Sequence, residues 1–234
     1  MLKYQNLTLT HNLMYLNTMK ITLLVSLATI CVSVAALAGE RSPNDHHRHL
    51  SRLVAVYPGR QILPAKSPNL ATAAMVSLYA RGDGGPTWSR VWKICLWARL
   101  LDGEHAWWQV NSVVGSTFLM GASFQGGLSQ NLCNGVLQIE GVGYTAGVCE
   151  MLLQSHAGEV ALLPALPPQW PSGTVRGLRA RGAVTVDMAW EKGVLKTARL
   201  TADRDGQYKV RLPGKTVQTV ELKTGQPWMV EQGK

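Results

Sequence analysis

The 234-residue sequence predicts an α+β fold in which helices come first and a small antiparallel β module follows. Apolar residues recur at three- and four-residue intervals through residues 68–101, the period of helices with one buried face. From about Glu159 onward, apolar and polar residues alternate between Gly and Pro punctuation, as in short strands joined by turns. With 46% hydrophobic and 16% charged residues, the chain can fill an apolar core.

Four helices are predicted in the first part. The first begins at Ser67-Pro68, where Ser suits the cap and Pro the first turn, and it stops at Gly82. The others cover residues 88–101, 104–114 and 145–155. Residues 115–137 are rich in Gly, Ser and Asn and predict a loop. The predicted buried positions are Leu70, Ala74, Val76 and Leu78, then Val91, Ile94, Cys95, Ala98 and Leu101, then Val148, Met151 and Leu152.

Strands are predicted in the second part, where the period changes from helical to alternating. They cover Val184–Met188, Leu195–Leu200, Tyr208–Leu212, Val217–Leu222 and Trp228–Val230. The change of pattern lies near residues 157–172. The sequence therefore predicts a helical domain over residues 39–156 and a β domain over 157–234.

The first 38 residues predict a signal peptide. Met19-Lys20 gives a basic start, an apolar run follows from Ile21 to Ala38, and Ala36-Leu37-Ala38 is typical of a cleavage site. Residues 1–18 carry no such pattern, so Met19 is an alternative start. We expect the mature protein to be secreted or periplasmic, without stable membrane association after cleavage.

Charge and cysteine content argue against several classes of function. The formal net charge is +9, but the basic residues are scattered, so nucleic-acid binding is not predicted. The four cysteines lack CxxC spacing, and with Cys31 removed they allow at most one disulfide, free buried thiols being the alternative. His105 and His156 have no carboxylate or Cys at ligand spacing, so neither a metal nor another cofactor is predicted.

Four blocks, in order along the chain, carry a resemblance to a known family. The first block is His47-Arg48-His49-Leu50-Ser51 with Tyr57-Pro58-Gly59, and the second is Arg81-Gly82-Asp83-Gly84-Gly85 with Trp88-Ser89, Trp92-Lys93 and Leu96–Gly103. The third is Gln138-Ile139-Glu140-Gly141 with Thr145–Gly147 and Glu150–His156, and the fourth is Leu162–Pro167 with Trp170-Pro171 and Gly177–Gly182. In this order and spacing, the stretch from His47 to about Leu200 resembles glycoside hydrolase family 95, the inverting α-L-fucosidases.

The resemblance implies a fold. Such enzymes place an N-terminal β domain before a barrel of paired helices and close with a β module. This chain resembles the last part of that arrangement. We therefore expect a partial (α/α) helical barrel segment followed by a small antiparallel β-sandwich-like module, in agreement with the change of period along the sequence.

The resemblance also implies a reaction. Inverting hydrolysis needs an acid for the departing oxygen and a base for water, with carboxyl groups about 6.5–9.5 Å apart. In the family, the acid is an upstream Glu, and two upstream Asn residues position the water beside an Asp. This sequence has no stretch that corresponds to that Glu or to either Asn. Glu140 stands at the Asp position, and either retains a residual catalytic role or is a surface or helix-N-terminal carboxylate.

Other positions match family residues that line the sugar pocket. Arg48 and His49 are expected to donate hydrogen bonds to sugar hydroxyls, with His47 orienting them, and an ordinary polar loop is the alternative. Trp88 packs either on the C–H face of the sugar or against the neighbouring helix. Core or inter-helix contacts are predicted for Trp92, Trp97, Trp107 and Trp108.

Three functions remain open from the sequence. The first is an α-L-fucosidase-like hydrolase of terminal α-L-fucosides, truncated and inactive alone. For this first function, a complementing chain would supply the missing part. The second is a non-catalytic secreted module that binds fucosylated glycans. The third is a decayed pseudoenzyme, in which uncovered apolar helix faces lead to poor solubility or self-association.

Overall fold

The computed structural model describes residues 50–85, 87–119 and 137–231, with the backbone alone at 87, 114–119, 137–142 and 231. A 3₁₀ turn at Ser51–Leu53 precedes four helices: α1 (Pro68–Arg81), α2 (Thr87–Arg99), α3 (Gly103–Leu119) and α4 (Leu137–Leu152). Eight strands follow: β1 (Leu153–Gln154), β2 (Val160–Leu162), β3 (Gly173–Ala180), β4 (Val184–Glu191), β5 (Val194–Ala202), β6 (Gly206–Arg211), β7 (Val217–Leu222) and β8 (Trp228–Glu231). In this part of the chain, no helix combines the length and apolar character that crossing a membrane requires.

The helices bury one apolar face each. On α1, Ala74 and Leu78 are buried as predicted, together with Ala71. The prediction for Val76 is wrong, because this side chain lies on the opposite side of the helix and is 61% exposed.

Helix α2 ends two residues earlier than predicted. Its predicted face is buried up to Ala98, but Leu101 is 49% exposed. Leu101 has a positive φ of 66° and caps the helix. Its N–H donates to the Ala98 carbonyl and the Asp102 N–H donates to the Trp97 carbonyl, each at 3.0 Å. These two hydrogen bonds satisfy carbonyls that the helix end would leave without donors.

Helices α2 and α4 run in the same direction. Gly143 lies against Val91 and Gly147 against Ile94, so residue numbers rise together along the contact. A Cβ atom at position 147 would stand 2.5 Å from Ile94 Cγ2, and the close approach of the two helices therefore requires glycine there. This packing offsets the low helix propensity of glycine.

The predicted end of α3 and both predicted ends of α4 were wrong. Helix α3 continues to Leu119, although residues 115–137 were predicted as loop, and residues 120–136 lie outside the described part. Helix α4 begins at Leu137, within a Gly-rich stretch, and ends at Leu152 because residues 153–154 pair in a sheet.

The strands form two four-stranded sheets, ordered β1-β2-β6-β7 and β3-β4-β5-β8. All five predicted strands are present. Every neighbouring pair is antiparallel except β2 and β6, which are parallel, so the expected antiparallel module needs correction at this one pair. The sequence did not predict β1, β2 or β3. The first two are short and fully buried, and β3 has a register shift between Val175 and Leu178.

The two sheets share one apolar core, which makes the module sandwich-like. On β4, Val184, Val186 and Met188 point inward as their alternation predicts. They meet residues of the other sheet such as Val210 and Leu222. Val148 of α4 and Trp170 contact this core as well as the core of the helices. The structure is therefore a helical segment followed by a β module, as expected for a partial barrel with its closing domain.

Candidate functional site

Trp88 lies in the first turn of α2 and is 37% exposed. Its ring meets the ring of Trp92 edge-on, with centroids 5.8 Å apart. Trp92 is in turn fixed, because its Nε1 donates to the Tyr57 carbonyl at 3.0 Å. Trp92 belongs to the same helix as Trp88, so this contact is not the predicted packing against a neighbouring helix. The part of the Trp88 side chain that is open to solvent leaves room for a ligand, and both sequence interpretations of Trp88 stay predictions.

The loop before α2 is held by two side chains of that helix. Lys93 Nζ donates to the Gly82 and Gly84 carbonyls, each at 2.7 Å. Arg90 Nε donates to the Gly85 carbonyl at 2.9 Å. Because these donors come from α2 itself, the loop is tied to the helix that carries Trp88.

Lys93 and Gln109 are buried polar residues for which the sequence predicted no role, although Lys93 belongs to the second block of the family resemblance. Burial lowers the pKa of Lys93 to about 8. Gln109 Nε2 donates to Asp83 Oδ1 at 2.7 Å, which ties the same loop to α3, and its Oε1 has no hydrogen-bond partner. A polar residue within an apolar helix pattern was the available signal for both.

Glu140 lies in the first turn of α4. Its backbone position follows from the register with α2: since Gly143 faces Val91, the residue three positions earlier is level with Trp88. Glu140 and Trp88 therefore belong to the N-terminal turns of parallel, adjacent helices.

His47, Arg48 and His49 lie outside the described residues, so their predicted place in a sugar pocket stays a prediction. The described chain begins at Leu50, which is 2% exposed and belongs to the helical core. The next residues form the turn that leads to Tyr57, the residue whose carbonyl binds Trp92.

A buried ion pair occupies the other ends of α2 and α4. Arg99 and Glu150 form two hydrogen bonds of 2.6 and 2.7 Å, and the Arg99 guanidinium also lies 5.1 Å from the centre of the Tyr57 ring. Arg99 is only 2% exposed. About eleven residues of helix, or roughly 16 Å, separate this pair from Trp88. Its place between helix, turn and Tyr57 indicates a structural role.

Two cysteines and His105 lie elsewhere on the described helices. Cys95 and Cys149 are free thiols, and burial raises the pKa of Cys95 to about 12, so it stays protonated near neutral pH. His105 does have a carboxylate partner, contrary to the sequence analysis: its Nδ1 lies 2.8 Å from Asp102 Oδ2. The other Asp102 oxygen accepts the His105 N–H and so caps α3. Within the described ranges, no three His, Cys, Asp or Glu side chains are placed to share a metal ion.

The tryptophans divide between core and surface. Trp97 is 1% exposed, and Trp92 and Trp107 pack partly buried against the helical core, as predicted. Trp108 is 50% exposed, so it is not a core residue, and the alternative of an inter-helix contact stays a prediction.

Two family models match the chain. The glycosyl hydrolase family 95 catalytic domain matches residues 16–152, and the glycoside hydrolase family 95 C-terminal domain matches residues 154–233. The junction of the two matches falls where α4 ends and β1 begins. The first match starts within the segment that the sequence predicts to be a signal peptide.

The chain is also similar to curated proteins named as α-fucosidases. The chain is 45% identical over 158 residues to alpha-L-fucosidase 2 of Arabidopsis thaliana, which covers 65% of this chain and 19% of that protein. It is 32% identical over 185 residues to a probable alpha-fucosidase A of Aspergillus oryzae, which covers 69% of this chain and 25% of that protein. The chain thus spans about a fifth to a quarter of the length of these curated relatives. With both domain models matched in order, the chain belongs to glycoside hydrolase family 95.

Proposed function

We propose that this chain provides the C-terminal part of an α-L-fucosidase site, binds terminal α-L-fucose, and does not hydrolyse fucosides alone. The observation that carries the proposal is the level placement of Trp88 and Glu140 on two parallel helices of a family 95 chain. The exposed Trp88 ring suits the C–H face of one sugar, and a glutamate at position 140 supplies a carboxylate that accepts hydrogen bonds from hydroxyl groups.

The lack of hydrolysis follows from the residues that the family resemblance requires. Inversion needs a general acid and a positioned water, and nothing in this sequence matches the family's acid Glu or its two Asn residues. Glu140 also moves the carboxylate by one methylene relative to Asp. A displacement of about 1 Å at a reacting group costs on the order of a hundredfold in rate.

The test combines binding and turnover on the purified full chain. We expect methyl α-L-fucoside, but not its D enantiomer, to give saturation-transfer NMR signals. Trp88→Ala should abolish the signals and Trp108→Ala, which truncates another exposed Trp, should preserve them. No aryl release is expected from nitrophenyl α-L-fucoside. Release that disappears in Glu140→Gln would contradict the inactivity, whereas a folded chain without any fucoside signal would contradict the binding.

A second candidate is a surface for self-association or for a complementing chain. Val76 and Tyr79 on α1 and Trp108 on α3 are all at least half exposed. The Tyr79 ring lies 5.0 Å from His105, one turn before Trp108, so apolar surface of both helices faces one region. Exposed apolar groups in proximity favour association. Sedimentation velocity of the same samples measures it, and a strictly monomeric chain would contradict it.

The proposed location is outside the cytoplasm, on the basis of residues 19–38. N-terminal sequencing of protein recovered after export should then begin at Gly39. A recovered chain that retains Met1 or Met19 would count against a cleaved signal peptide.

A further inference from the structure

A cleft with two connected cavities lies where the C-terminal ends of α2 and α4 meet the β module. The first cavity, of about 300 Å³, includes Arg99, Gln154 and His156 in its walls. The second, of about 400 Å³, includes Arg60, Arg181 and Lys209. His156 and Glu159 belong to the walls of both. Trp88 and Glu140 lie at the opposite ends of the same helices.

Three chain segments run from one cavity to the other. Residues 60–65, 154–164 and 207–214 each contribute to both walls. Along the first segment, Arg60 belongs to the second cavity and Leu63, Pro64 and Ala65 to the first. We call the second cavity the mouth and the first the chamber. Since the same three segments build both, mouth and chamber form one continuous cleft.

The mouth is positively charged. Arg60, Arg181 and Lys209 are exposed, and none of their charged groups has a partner among the described residues. Glu159 is the acidic residue of the wall, and Arg211 neutralises it through hydrogen bonds of 2.6 and 3.0 Å. Three cations without counter-charges therefore surround a concave space, a field that attracts a small anion.

The chamber is largely apolar. Leu63, Pro64, Leu163 and Leu212 line it, together with small side chains such as Ala65 and Ala161. Small-molecule sites generally combine such a lining with a few polar groups at one end. The 300 Å³ volume accommodates a compact organic body rather than a polymer.

His156 marks the junction of mouth and chamber. It is 7% exposed, and its Nδ1 is buried without a hydrogen-bond partner. A buried polar atom without a partner costs free energy. A ligand that seats beside this ring and moves it slightly can supply the missing partner.

We propose that this cleft binds a small amphipathic carboxylate, with its anionic group among Arg60, Arg181 and Lys209 and its apolar body in the chamber. The Ser155 hydroxyl lies at the same mouth and accepts the Arg181 backbone N–H at 3.0 Å. Its own proton has no acceptor among the described residues and is free to donate to the anion. The site is independent of any fucoside bound at Trp88.

The test uses calorimetric titration of the full chain with three probes: 4-phenylbutyrate, its neutral amide, and inorganic sulfate. The carboxylate should bind at least about tenfold more tightly than either of the others, because only it satisfies both parts of the cleft. Equal affinity for sulfate would overturn the role of the chamber, and equal affinity for the amide would overturn the role of the mouth.

Variants localise the binding. Arg181→Gln with Lys209→Gln should weaken phenylbutyrate at least about tenfold, while Arg176→Gln with Arg199→Gln, which removes two exposed charges outside the cleft, should change it less than about twofold. Ala65→Phe places a ring at the exposed edge of the chamber and should weaken phenylbutyrate but not sulfate. Equal weakening by the two charge pairs, or no binding by the folded wild type, would overturn the proposal.

Discussion

The titration of His156 makes the free energy of unfolding of this protein depend on pH. Burial, reinforced by the charges of Arg99 and Arg181, lowers the pKa of His156 from 6.5 to about 4. The unfolded chain takes up this proton near pH 6.5, whereas the folded chain does so only near pH 4. Between those values the unfolded state binds more protons, so the free energy of unfolding falls as the pH falls.

The magnitude follows from the two pKa values of His156. One pKa unit corresponds to about 1.36 kcal/mol, so the full loss below pH 4 is about 3 kcal/mol. At pH 5 the loss is about 2 kcal/mol, since the unfolded histidine is then almost wholly protonated and the folded one almost wholly neutral. Above pH 7 the contribution vanishes.

Urea unfolding of wild type and His156→Leu at pH 7.5 and pH 5 measures this loss. The difference in unfolding free energy between the two proteins should shift by about 2 kcal/mol in favour of the variant on acidification, because every other group cancels. His156→Gln, which retains a polar side chain, provides a second variant should leucine disturb packing. A difference that stays constant within about 0.5 kcal/mol would refute the assignment of the buried neutral histidine.

Two further predictions concern packing. Arg99→Met should destabilise the chain by about 3–5 kcal/mol, because it leaves the Glu150 carboxylate without its partner. The double variant Arg99→Met with Glu150→Leu should recover much of that loss, and equal losses in urea unfolding for the single and double variants would contradict this. Gly173→Ala should cost about 1–3 kcal/mol, because its Cβ would overlap the ring of the cross-strand tryptophan, whereas at Gly206 the nearest atom to an added Cβ is 3.5 Å away and Gly206→Ala should have little effect. Melting temperatures that fall equally for both alanines would exclude the overlap as the cause.

The sequence predicted the elements whose pattern depends on their own residues. The buried face of α2 and the alternation of Val184, Val186 and Met188 both follow from local period, and both are present. The start of α1 at Pro68 was equally local. These elements needed no information about their neighbours.

The errors arose where a neighbour decides the structure. The predicted helix began only at residue 145 and so left out Gly143, but Gly143 and Gly147 both let α4 approach α2 and both belong to the helix. Leu101 fits the helical period and yet caps the helix with a positive φ. Strand β2 pairs in parallel with β6, some fifty residues later in the chain, and a local sequence pattern does not predict such a distant pairing.

The candidate site was predictable only in part. Trp88 and Glu140 came from the family resemblance, while their level placement required the register between two helices. Lys93 and Gln109, which hold the loop before Trp88, were not predicted, because their partners are loop carbonyls and Asp83 rather than a sequence neighbour at helical spacing. A buried polar network depends on a tertiary arrangement that a linear pattern does not contain.

Trp170 connects the two family domains through its packing. Its side chain packs against both apolar cores, and its carbonyl accepts the Trp190 Nε1 proton at 2.8 Å. In β1, the Gln154 side chain donates to the Ala98 carbonyl of α2 at 2.7 Å. Residues 152–170 are therefore packed against both domains and do not act as a flexible linker. A gene fusion or deletion made at the boundary between the two family domains would expose apolar surface on both products. The boundary between the two sequence families is therefore not a boundary between two independently folding domains.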